Sequence, residues 1–143
     1  MNALRLLARP FALAIALLPL AAAAAPQGTT TFAVSAGSFS AWTIDGSSNP
    51  PLTLERGRTY VFDLTGVNAV HPFNINTTNT TGNGARYNVG VSNNGATGDT
   101  DITFVVPVAA PNSLHYNCGN HGAMNGTITV IDPDGIFAHD FEP

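Results

Sequence analysis

The chain has 143 residues, 44% of them apolar and only 10% charged, with a formal net charge of −4. Such a balance excludes a disordered chain, and so little charge excludes a coiled coil or long solvent-exposed helices. Five Arg, no Lys and nine acids give too few cations for binding nucleic acid, whose phosphates demand them.

The first 25 residues read as a secretory signal peptide. Arg5 and Arg9 form a positive start, Phe11 to Leu20 an apolar stretch, and Ala23 to Ala25 a small-residue cleavage site before Pro26. The apolar part is short for a bilayer span and Pro19 interrupts it. Export to a periplasm or to the outside is therefore expected, with no membrane span in the mature chain. Cleavage would remove two Arg and leave three basic residues against nine acids, 3 − 9 = −6. An acidic domain of that kind can be steered towards a basic partner. Residues 26–131 are expected to form one domain, and residues 132–143 a flexible acidic tail.

Along that domain the pattern is one of short strands. Thr29 to Ser35 alternates around Phe32 and Val34. Phe39 to Ile44 follows a turn at Gly37. Leu52 to Leu54 runs through a Glu55-Arg56-Gly57 turn into Arg58 to Leu64, and Val70 to Asn76 comes next. Thr77 to Gly84 reads as a loop, Ala85 to Val91 as a short strand, and Ser92 to Gly98 as a second loop. Asp101 to Val106, Asn112 to Cys118 and Thr127 to Ile131 complete the set. β-Branched and aromatic runs separated by turns predict an all-β antiparallel sandwich or barrel. No fixed-period repeat occurs.

One cysteine, Cys118, excludes an internal disulfide. A lone thiol in an oxidising compartment has to be buried, paired between chains or metal-bound. Its surroundings favour the last. Cys118, His121 and Met124 are spaced C-x₂-H-x₂-M, so one tight loop can aim a thiolate, an imidazole and a thioether at a point. A second imidazole has to come from elsewhere, and His71, opening a predicted strand, is best placed. Two His, one Cys and a weak axial Met are the ligand set of a type 1 (blue) copper site. Singly, each residue has a plainer role: buried small hydrophobe for Cys118, loop residue for His121, core filler for Met124, strand start for His71. Their joint spacing is what points to a metal. His115 reads as structural or surface, and His139 in the tail is given no role. Zinc would accept the nitrogen and sulfur ligands, but an axial Met is unusual for it. Sequons at Asn76, Asn79 and Asn125 matter only in a host that glycosylates.

The loop Cys118-Gly-Asn-His-Gly-Ala-Met124 resembles the copper loop of amicyanin and pseudoazurin. Phe104 to Cys118, with its Tyr-x-Cys lead-in, and Leu52 to Phe62, with its glycine turn, resemble cupredoxins more widely. The resemblance implies an eight-stranded Greek-key sandwich with one copper ion at one end. It also implies electron carriage by Cu(I)/Cu(II) cycling rather than enzymatic turnover. A monomer is expected, meeting its redox partner by weak, transient docking near His121. The alternative is a non-redox copper-binding, chaperone or interaction module on the same fold. A multicopper enzyme would need more histidines than the four present.

One departure from the family stands out. Many small cupredoxins place Asn after the first copper His, and its N–H donates to the Cys sulfur; here that residue is Pro72, which has no N–H. The residue before the second His, often Pro in the amicyanin and pseudoazurin group, is here Asn120. The sulfur's donor is therefore expected to move to the Asn120 N–H.

Overall fold

The computed structural model describes residues 28–133. The expected signal peptide, nearly all of the expected tail, and His139 lie outside the described residues. No helix occurs among the described residues, so none is long and apolar enough to cross a membrane.

Among the described residues ten strands form two sheets. The larger consists of β1 (Thr29–Ser35), β2 (Thr43–Ile44), β3 (Ser47–Ser48), β5 (Thr59–Asp63), β7 (Val91–Ser92) and β8 (Ile102–Val105), in the order β3-β2-β1-β5-β8-β7. The smaller consists of β4 (Leu52–Glu55), β6 (Phe73–Asn76), β9 (Ser113–Cys118) and β10 (Asn125–Ile131), in the order β4-β10-β9-β6. Alternation decides which side chains go inside. Tyr60 and Phe62 on β5, Ile102 and Phe104 on β8, Leu114 and Tyr116 on β9, and Ile128 and Val130 on β10 are all buried in one continuous core. Phe62 of one sheet meets Phe73 of the other with ring centroids 5.1 Å apart. The predicted all-β sandwich is what forms.

Several local expectations change. The sandwich is mixed, not purely antiparallel: β1 runs parallel to β5, and β4 parallel to β10. Of the strand predicted over Phe39 to Ile44 only Thr43 and Ile44 pair, because the chain bends through residues 37–40. Asp45-Gly46 then turns it back into β3, with φ of 47° and 82°. Both values are positive, as a two-residue hairpin requires to match strand twist, and Asp-Gly is a favoured pair for it. Val70 to Pro72 precede β6 instead of opening it: His71 N–H donates to Asn68 O in a turn (2.9 Å), and Pro72 has no N–H for a ladder. The strand predicted over Ala85 to Val91 reduces to an isolated bridge between Arg86 and Asn76, with Val91 opening β7.

The predicted loop at Ser92 to Gly98 has structural work of its own. Phe73 N–H donates to Ala96 O (3.0 Å) and Gly95 N–H to Phe73 O (2.9 Å). Asn94 imitates a backbone unit, its Oδ1 accepting from Ile75 N–H (2.8 Å) and its Nδ2 donating to Ile75 O (2.9 Å). The free edge of β6 is thereby covered, which satisfies its polar groups and prevents edge pairing.

Tyr116 is the largest constraint on β9. Its ring lies across Gly126, its register partner on β10, stacks on Phe73 at 5.6 Å, and its hydroxyl donates to Pro50 O at 2.7 Å. A Cβ at Gly126 would overlap the Tyr116 ring. Gly126→Ala is therefore expected to cost about 1–3 kcal/mol, the usual penalty for overfilling a packed core. Tyr116→Phe, which keeps the ring and orphans the Pro50 carbonyl, should cost about 1 kcal/mol. Urea unfolding of the two variants measures both, and the glycine substitution should be the more damaging.

Candidate metal centre

β9 delivers the thiol. Leu114, Tyr116 and Cys118 share one parity, so the alternation that fills the core also turns Cys118 inward with no exposure. β6 pairs antiparallel with β9, and Phe73 sits directly opposite Cys118. His71, two residues before Phe73, is thereby brought beside the sulfur although 47 positions separate the two residues in the chain.

After Cys118 the chain turns back on itself. Met124 N–H donates to His121 O (3.1 Å), and Cys118 N–H donates to Met124 O (2.8 Å). This closed loop holds His121 over the sulfur and leaves Met124 fully buried. The Cys118 sulfur lies 3.8 Å from His71 Nδ1 and 3.3 Å from His121 Nδ1. One donor atom each of His71, Cys118 and His121 falls within 4.8 Å of the others. Three of the four expected ligands thus converge, and the fourth returns on the same loop. His115 is half-buried on β9, opposite Thr127, and belongs to no such group.

The two ligand-bearing segments are braced against each other. Gly119 N–H donates to Pro72 O (2.8 Å), and the Asn120 side-chain amide donates to Val70 O (2.9 Å). The Asn120 backbone nitrogen lies 3.5 Å from the Cys118 sulfur and donates to it. The donor lost at Pro72 is thus supplied by Asn120, as its position before His121 suggests. A second brace is built of asparagines. Asn76 donates to Asn117 (3.1 Å), Asn117 to Asn79 (2.6 Å), Asn79 to Asn125 (3.2 Å), and Asn125 to Gly122 O in the ligand loop (2.8 Å). The three sequon asparagines are all members of this chain.

His71 is only 4% exposed, and its pKa is lowered from the ordinary 6.5, first by loss of water and second by the charge of the nearby His121. Both causes favour the neutral imidazole, the form whose nitrogen lone pair can bind a metal. Two aromatic residues that the sequence reading did not assign to the site enclose it. Trp42 meets His71 edge-on at 6.0 Å. Phe39 lies over both imidazoles, 5.4 Å from His71 and 4.9 Å from His121. Nothing local in the sequence marks Phe39, since its contacts are made across the end of the sandwich.

A group of one buried thiol, one buried imidazole and one half-buried imidazole, with a thioether on the same loop, has the donor chemistry of a type 1 copper site. No protein-family profile matches the chain, and no curated protein matches it. Among solved structures the chain is similar to the copper protein rusticyanin, with 20% identity over 72% of this chain and 78% of that one, at a TM-score of 0.49. Rusticyanin from Thiobacillus ferrooxidans is similar at 21% identity over 72% and 77%, with a TM-score of 0.42. An amicyanin variant in its reduced Cu(I) form is similar at 16% identity over 79% and 91%, with a TM-score of 0.43.

Proposed function

We propose that the protein is a small electron carrier that holds one type 1 copper ion through His71, Cys118, His121 and Met124. The observation that supports this is the meeting of a buried cysteine and two histidines, with donor atoms within 4.8 Å of one another. When bound, copper would supply a one-electron Cu(I)/Cu(II) couple. The chain's own contribution is to hold the donors before the ion arrives. The loop closed between Cys118 and Met124, and the braces at Gly119 and Asn120, fix the donors by hydrogen bonds that do not depend on a metal. A site fixed in this way changes little between two charge states, which suits transfer of electrons better than hand-over of the ion. That is the ground for preferring a carrier to a copper chaperone. The proposed carrier is exported by residues 1–25, acts as a monomer without enzymatic turnover, and meets a redox partner by brief docking beside His121.

Addition of Cu(II) to the purified protein should give an intense blue thiolate-to-copper absorption. Cys118→Ser should abolish it, and reversible one-electron voltammetry should separate a carrier from a storage protein. A colourless copper-loaded protein would count against the assignment. Asn120 gives a second prediction. Asn120→Pro removes the N–H that draws electron density from the sulfur, and should lower the reduction potential because the thiolate then favours Cu(II) more strongly. Asn120→Ala, which keeps that N–H, should shift the potential less.

A third prediction concerns pH in the metal-free protein. A histidine whose folded pKa is depressed adds nothing to pH dependence well above 6.5, where it is neutral in both states. As pH falls below 6.5 the unfolded chain takes up the proton first, so stability is lost down to the folded pKa. The urea midpoint should therefore drop between pH 7.5 and 5.5, taken as about one unit either side of the free histidine value. His71→Gln should flatten that slope.

A further inference from the structure

Phe39 is 65% exposed, and its ring lies against those of His71 and His121. It sits in the bend over residues 37–40, outside any strand. Core packing does not account for it: Trp42 and Ile44 carry the buried parity of the strand that follows, at 0% and 1% exposure. The imidazoles are themselves 4.8 Å apart, so the three rings form a compact triangle with Phe39 outermost. His71 is further closed off by Trp42. An aromatic face laid over two imidazoles removes water from them and restricts their rotation, while its own outer face stays wet.

We propose that Phe39 is the shield of the His71–His121 pair, setting how fast small polar reagents, chelating ligands among them, reach the two imidazoles. The metal-dependent half rests on the copper reading above; the shielding of the imidazoles does not. Phe39 is on this account a positioning residue, acting through the histidines rather than on an ion. Water-borne groups approaching His121 from the side of Phe39 have to displace a ring that holds both histidines, whereas a partner docking there would meet the exposed Phe39 face first.

The test uses metal-free purified protein treated with diethyl pyrocarbonate, which acylates accessible neutral imidazoles, with modification mapped by peptide mass spectrometry. His115 on β9 serves as the internal reference. In Phe39→Ala the rates at His71 and His121 relative to His115 should rise about fivefold, the factor that about 1 kcal/mol of lost ring contact gives at room temperature. Phe39→Leu, which restores apolar bulk, should fall between Ala and wild type. In copper-loaded protein, bleaching of the blue band by a chelator should accelerate in the same order. Unchanged labelling in a Phe39→Ala protein that still turns blue would overturn the shield and leave the copper assignment standing. Faster labelling with no blue colour even in wild type would overturn the copper assignment and leave the shield standing. Should Phe39→Ala lose its cooperative melting transition, the judgement passes to Phe39→Leu: labelling of His71 and His121 faster than wild type, each relative to His115, supports the shield, and labelling equal to wild type at both histidines overturns it.

Discussion

Everything at the proposed centre depends on one antiparallel pairing. β6 lies against β9 with Phe73 opposite Cys118. A slip of one residue would turn every side chain of β6 to the other face, moving Phe73 and Ile75 out of the core and His71 away from the sulfur. The register is therefore held by the hydrophobic effect: Phe73, Ile75, Leu114 and Tyr116 are all fully buried only in this alignment. At this end the core and the site are the same structure.

Around that pairing, polar groups do what water cannot. The outer edge of β6 is covered by Asn94, Gly95 and Ala96, and its buried Asn76 is tied into the asparagine chain that ends on Gly122 O. Buried amides are costly unless bonded and specific when they are. Asn76, Asn79 and Asn125, the asparagines of the three sequons, all serve this chain of hydrogen bonds. Pro72 and Asn120 form a similar exchange. A proline that cannot donate sits in one ligand segment, and the donor to the sulfur comes from the other.

How far the fold was legible from the sequence depends on the range of the contact. Strands whose alternation is internal, such as Thr29 to Ser35 and Ser113 to Cys118, lie where the pattern puts them, because parity within a strand is a local property. The Asp45-Gly46 hairpin carries its own two-residue signal, but Ser47-Ser48 has no apolar alternation to mark a strand after it. Phe39 to Ala41 looked like strand and is not, since a strand needs a partner to its side and those residues have none. The parallel pairings of β1 with β5 and of β4 with β10 had no local signal.

By itself the sequence determined the all-β class and singled out candidate donors: a single Cys in phase with Leu114 and Tyr116, and His121 and Met124 at loop spacing behind it. These follow from composition, alternation and short separations. Only the tertiary structure decided that His71 reaches the sulfur, that the Asn120 side chain braces Val70, and that Phe39 lies across both histidines. Those contacts span up to 82 positions, from Phe39 to His121, and are fixed by strand register and by how two sheets close over a shared core. No local pattern encodes such distances, because the energy that selects them belongs to the whole sandwich.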